Sequence, residues 1–137
     1  MNCIFCKIIK KEIPCNLLYE DESCFVFLDI KPITKGHTLV VPKKHSENLL
    51  DIEEKDVLHC MNLIKKLGPK IMKAMKADGF NVGQNNFSAA GQTVMHTHFH
   101  IIPRYKNDGL KNWQNKDTSA DALLQAEKEI KKALRVP

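Results

Sequence analysis

Three histidines one residue apart, His96, His98 and His100 in the segment GQTVMHTHFHIIPR from Gly91 to Arg104, constrain the fold more tightly than any other feature of the chain. Residues two apart share a face in a strand and point to nearly opposite sides in a helix, so this spacing predicts a strand with the imidazoles converging on one face, roughly 6.5 to 7 Å apart. Thr97, Phe99 and Ile101 then face inward, with Gly91 and Pro103 marking the ends of the strand and its leading loop.

Such a row has three readings. A set of satisfied surface or core histidines suits a single His better than three on one face. A metal site is the second, since His-x-His presents two imidazoles to zinc and a third completes a ligand triad. The third is a phosphate site, in which one imidazole attacks phosphorus and its neighbours donate to the charged oxygens. Gly91 and Thr93 favour the last: glycine lets backbone amides approach a ligand, and the threonine hydroxyl can donate to a phosphoryl oxygen or a leaving group.

Elsewhere the patterning predicts a single α+β domain. A short helix spans Phe5 to Lys11. Strands follow at Asn16 to Glu20, Ser23 to Leu28, His37 to Pro42 and Phe80 to Gln84, with the histidine strand as the fifth. Apolar residues Met61, Ile64, Leu67, Ile71 and Met75 recur at three- and four-residue steps from Val57 onward and predict a long helix. Gly68-Pro69 interrupts it, predicting a kink or two abutting helices, because an interior proline costs roughly 3 kcal/mol. A polar linker holding Trp113 leads to Thr118-Ser119, the N-cap signal of an amphipathic C-terminal helix.

A length of 137 residues suffices for one core. The net charge of +5 would help draw an anionic substrate, but the lysines cluster as solvated helix faces rather than a nucleic-acid stripe. No apolar run reaches membrane-spanning length and the N-terminus lacks signal-peptide order, so a cytoplasmic protein is expected. In that reducing setting the five cysteines are not a disulfide framework. Cys3 and Cys6 form a Cys-x-x-Cys that can wrap a tetrahedral metal ion; a redox pair, or two small apolar side chains in a short helix, are the rival readings. Asp29, among Phe27, Leu28 and Ile30, reads as a turn-capping acid.

Three segments, IFCKIIKKEIP, FVFLDIKPITKGHTLVVPKKH and GQTVMHTHFHIIPR, resemble the histidine triad (HIT) nucleotide hydrolases and transferases, and together they cover most of residues 3 to 104. Thr97 departs from the apolar residue usual there. The resemblance implies an α+β HIT-like fold with a five-stranded antiparallel sheet, and nucleotidyl transfer through His98 with His96, His100, Thr93 and His37 assisting. It also implies a base pocket lined by Ile4, Phe5, Ile8, Phe27 and Ile30, ribose contacts at Asp29, and phosphate contacts from Asn85, Gly91 and Gln92. A structural zinc held by Cys3, Cys6, His45 and His96 and a two-fold homodimer through the long helix follow from the same likeness. His100, where family transferases carry Gln, favours hydrolysis over nucleotidyl transfer to a sugar phosphate, and the resemblance implies a purine nucleotide as substrate. The leaving group stays open: the N-terminal half resembles phosphoramidases, while GQTV occurs among dinucleoside polyphosphate hydrolases. A metal-dependent hydrolase using the triad as ligands, or a nucleotide- or protein-binding module with little turnover, are the competing functions.

Overall fold

The structure is a computed structural model and describes residues 2–135. Five antiparallel strands, β1 (Leu17–Glu20), β2 (Cys24–Leu28), β3 (Thr38–Pro42), β4 (Gly79–Gly83) and β5 (Phe99–Arg104), form one sheet in the order β1-β2-β3-β5-β4. Three helices accompany it: α1 (Ile4–Ile9), α2 (Glu54–Ala74) and α3 (Ala120–Leu134). No described helix is long and apolar enough to cross a membrane.

Strand alternation gives the sheet two buried faces. Cys24 and Val26 of β2, Val40 of β3, and Phe99 and Ile101 of β5 pack beneath α2, against Cys60, Leu63 and Ile64. The intervening residues Phe25, Phe27, Leu39 and Val41 face the other way and are covered by Phe5 and Ile8 of α1. One core thus rests on a 21-residue helix and the other on a six-residue helix. His100 lies opposite Leu39 across the β3–β5 ladder, which puts it on the α1 face.

The expected break at Gly68-Pro69 is absent: α2 runs as one helix from Glu54 to Ala74 with Pro69 inside it. Proline forfeits one helical hydrogen bond, but Leu63 and Ile64 before it and Leu67 and Ile71 around it are anchored on the sheet. Burying each such side chain contributes about 1.5–3 kcal/mol, enough to offset the roughly 3 kcal/mol proline penalty. The helix also begins earlier than the apolar periodicity, with Glu54 and Asp56 in its first turn, where carboxylates suit the positive end of the helix dipole.

The tail after Arg104 is fixed before it is free. Arg104 uses all five guanidinium donors: Nε and one Nη on the Asp108 carboxylate, others on Asn81 Oδ1, Asn112 Oδ1 and the Leu110 carbonyl. This holds the linker onto β4 and β5. Beyond it, Ser119 caps α3 by accepting from the Ala122 amide as its sequence signalled, yet every residue of α3 is exposed.

Candidate active site

The histidine row differs from the expected strand in one respect. Only His100 lies in β5; His96 to His98 come just before it, outside the ladder, with a bend at His96. The conformation of these residues is set instead by Ser46, whose carbonyl accepts from the Thr97 amide at 2.7 Å and whose hydroxyl lies 2.7 Å from the Thr97 hydroxyl. Thr97 is fully buried. The departure from an apolar residue there is therefore a paired polar contact, and Ser46, which the sequence gave no reason to single out, is the partner.

The imidazoles nevertheless share one face. The Phe5 ring meets His96 edge-on at 5.9 Å between centroids and His98 at 5.0 Å, and His98 meets His100 at 5.0 Å. Phe5 and Ile8 of α1 pack with Phe27 beside the row, so these expected pocket residues come together. Ile30 does not: at 79 % exposed it is no packed wall of the pocket, and Ile4 is exposed as well.

The hydrogen-bond partners assign each ring nitrogen. His98 Nδ1 donates to the His96 carbonyl oxygen at 2.7 Å, which leaves Nε2 with its lone pair. The Ile33 amide donates to His37 Nδ1 at 3.0 Å, so His37 Nε2 carries a proton and donates to His100 Nδ1 at 2.8 Å. The His100 proton is consequently on Nε2. A chain of donors thus runs from backbone through two imidazoles and ends on a free N–H next to a free lone pair. Burial lowers the pKa of His37 and His98, and burial together with the neighbouring His98 and His37 lowers His100 to about 4. All three are neutral near pH 7, as this chain of single donors requires.

Asp29 sits 3.7 Å from His37 Nε2 through Oδ2, while its Oδ1 accepts from the Lys31 amide as a turn cap. One carboxylate oxygen is therefore committed to the backbone. Asn85 and Gly91 meet in the loop before the row: the Asn85 amide nitrogen donates weakly to the Gly91 carbonyl at 3.4 Å. Gly91 has φ +93°, and a Cβ there would come within 3.3 Å of that nitrogen, so glycine is needed both for conformation and for space. Thr93 is exposed.

Gln92 departs from its expected role as a phosphate contact. Its side chain is buried, with the amide nitrogen donating to the carbonyls of Glu47 and Val94 and the oxygen accepting from the Phe87 amide. Phe87 is held there at φ 74°, a conformation that non-glycine residues rarely adopt. Gln92 is thus the brace of a strained loop, with its amide spent on the backbone.

A second cluster adjoins the row. His96 Nε2 donates to the Pro42 carbonyl at 2.8 Å, so Nδ1 carries a lone pair, and it faces Cys3 Sγ at 3.3 Å, Cys6 Sγ at 3.6 Å and His45 Nδ1 at 3.1 Å. The Cys6 amide donates to Cys3 Sγ, which caps α1. Burial and then the neighbouring Cys3 raise the Cys6 thiol pKa, which a bound divalent cation would reverse. Four donor atoms of soft sulfur and imidazole nitrogen, all within 4.8 Å of one another, fit a tetrahedral zinc ion. His98 joins no such cluster among the described residues, which disfavours the triad as a set of metal ligands.

The HIT domain profile matches residues 10–107. Adenosine 5'-monophosphoramidase HNT1 of Saccharomyces cerevisiae is 43% identical over 130 residues, 93% of this chain and 80% of that protein. A solved member of the HIT family from Bacillus subtilis superimposes with a TM-score of 0.88 at 38% identity, covering 100% of both chains. A zinc-bound histidine triad family protein from Mycobacterium smegmatis gives a TM-score of 0.78 at 34% identity, over 97% of this chain and 98% of that one. Similarity of this extent means that the chain belongs to the HIT domain family.

Proposed function

We propose that the protein hydrolyses nucleotides at the α-phosphorus, with His98 as the nucleophile. The observation that carries this reading is the pairing of an unprotonated His98 Nε2, fixed by the Nδ1 bond to the His96 carbonyl, with the donor end of the His37–His100 chain. Relatives named as adenosine 5'-monophosphoramidases support the substrate class.

In the first step the His98 Nε2 lone pair forms a bond to phosphorus, and the bond from phosphorus to the leaving group breaks, its electron pair departing with that group. The leaving group takes its proton from solvent, since His100 is neutral, while His100 Nε2–H and the Thr93 hydroxyl donate hydrogen bonds to the departing atom and the phosphoryl oxygens. Water then attacks phosphorus, the phosphorus–nitrogen bond returns its electrons to His98, and a nucleoside monophosphate leaves. Water's second proton returns to solvent, and His98 is restored as the neutral imidazole. His37 works through His100 and is a positioning residue. Phe5, Ile8 and Phe27 offer an apolar wall to the base, and the free oxygen of Asp29 an acceptor for ribose hydroxyls. Cys3, Cys6, His45 and His96 would hold zinc, which supplies a tie between α1 and the histidine row. The homodimer implied by the resemblance is supported by the outward side of α2, where Leu58 and Met61 stand exposed one turn apart.

Incubation with adenosine phosphoramidate or a diadenosine polyphosphate, followed by mild quenching and mass spectrometry, should reveal adenylate on His98. His98→Ala should lower kcat by about 10⁴-fold or more with unchanged secondary structure. Full turnover by that variant, or adenylate on another residue, would overturn the assignment.

A further inference from the structure

Thr97 is wholly buried inside the histidine row and Ser46 nearly so, yet neither hydroxyl takes part in the chemistry proposed above. The Thr97 hydroxyl donates to the Ser46 carbonyl at 3.3 Å and accepts from the Ser46 hydroxyl at 2.7 Å, while the Thr97 amide donates to the same carbonyl at 2.7 Å. We infer that Ser46 and Thr97 are positioning residues for His98: their hydroxyls fix the peptide unit whose carbonyl holds the His98 ring with its proton on Nδ1. The inference rests on the proposed chemistry at His98.

Connectivity is the first argument. The carbonyl that accepts from His98 Nδ1 at 2.7 Å belongs to His96, and the amide bonded to Ser46 belongs to Thr97. These are the two sides of one peptide unit. A trans peptide is planar, with its C=O and N–H pointing in opposite directions, so the place to which Ser46 draws the N–H decides where the C=O faces. A carbonyl turned aside would release Nδ1, and the ring could then carry its proton on Nε2, the atom that must attack phosphorus. Hydrogen-bonded amides also polarise one another in series, so the bond to Ser46 makes the His96 carbonyl a stronger acceptor.

Restraint is the second. A single N–H···O bond is a pivot about which a peptide unit can tilt, and the two hydroxyl contacts remove that tilt. On its other side His96 is tied through its ring to the Pro42 carbonyl at 2.8 Å. Ser46 is itself held in a stiff turn: the Asp51 carboxylate accepts from the amides of Glu47 and Asn48, and Gln92 donates to the Glu47 carbonyl.

The third argument is energetic. Replacing both members of a buried hydrogen-bonded pair by apolar groups of the same shape is nearly neutral for stability. What the hydroxyls supply beyond packing is therefore direction, which matters at a residue placed between the nucleophile and its neighbour in the row.

The test compares Thr97→Val, which keeps the shape and loses the hydroxyl, with Thr97→Ser, which keeps the hydroxyl and loses the methyl, and with Ser46→Ala, all at equal zinc content. With adenosine phosphoramidate, Thr97→Val and Ser46→Ala should each lower kcat about tenfold and leave KM unchanged, because a slightly misplaced reacting group costs rate rather than binding. Thr97→Ser should stay within about twofold of the wild type. Long-range proton–nitrogen NMR spectra of the imidazoles give a reading independent of turnover, the His98 signals being identified by their loss in His98→Ala. The wild type and Thr97→Ser should show His98 protonated at Nδ1 alone, and the other two variants a share protonated at Nε2. Wild-type kcat in both Thr97→Val and Ser46→Ala, or an undivided Nδ1 tautomer in both, overturns the inference. So does a loss in Thr97→Ser as large as that in Thr97→Val, which is the mark of packing alone. If the wild type forms adenylate on His98 while the variants match it, only the positioning role fails; if no substrate adenylates His98, the parent reading fails and takes this one with it.

Discussion

Which nitrogen of a buried imidazole holds the proton decides what that ring can do. His98 gives its Nδ1 proton to a carbonyl and keeps a lone pair; His100 accepts from His37 at Nδ1 and keeps a donor. Three alternating histidines are visible in the sequence, and strand periodicity predicts their common face, although only His100 lies in β5 and the approach of His96 and His98 is set by the Ser46–Thr97 contacts. Their tautomers are not visible there, since these depend on the Ile33 amide and the His96 carbonyl, backbone groups that carry no mark in the sequence. The same limit explains Gln92 and Ser46, whose side chains work on backbone and hydroxyl partners brought close only by folding. A pH dependence follows at this scale. His37 and His100 are held neutral in the fold, His100 down to about 4, while in the unfolded chain they titrate near the ordinary histidine value of about 6.5. Between those values the unfolded state binds more protons, so stability falls as pH drops from about 6.5 toward 4 and is insensitive to these groups above about 7. A loss on the order of 2 kcal/mol is expected from urea denaturation at pH 4.5 relative to pH 7.5, reduced in His100→Gln; equal stability at the two pH values would contradict the neutral assignment.

Among elements, α2 is where sequence logic and structure diverged. The apolar stripe from Met61 to Met75 is legible in the sequence, but the proline penalty by itself predicts a break, because the anchoring that Leu63, Ile64, Leu67 and Ile71 give on both sides of Pro69 exists only in the fold. Gly68 beside it serves packing. A Cβ at this position would lie 2.8 Å from the Phe80 ring, which packs against the α2 core. Gly68→Ala gains about 1 kcal/mol of helix propensity, yet displacing an aromatic ring costs typically 1–3 kcal/mol. The variant should therefore be destabilised by about 1 kcal/mol, measured as a lower midpoint in guanidinium chloride; a stabilised variant would mean that Phe80 yields freely. The linker that follows β5 was equally hard to foresee, because Arg104 reads as the end of a motif and not as the hub for Asp108, Leu110 and Asn112.

At the level of the molecule, the sheet divides its work between faces of unequal strength. The α2 side is secured by a helix of 21 residues, whereas the side bearing the imidazoles is closed by six residues of α1 and the Cys3, Cys6, His45 and His96 cluster. The five-stranded α+β plan was readable from turn signals and alternation, but which face each helix covers emerged only from the register of β2 and β3 with β5. Zinc loading should reach about one ion per chain, and Cys6→Ser should abolish it, as read by mass spectrometry under native conditions; a loaded variant would remove Cys6 from the ligand set. A small lid over the reactive surface has a further result for how the protein fails. When warmed, or kept free of zinc, it should lose activity before it melts: α1 can peel away at a fraction of the global unfolding free energy, exposing the rings while the circular dichroism of α2 and the sheet stays intact. The interval between the temperature of half-inactivation and that of half-unfolding then measures how firmly the first dozen residues are fastened, and adding zinc should narrow it.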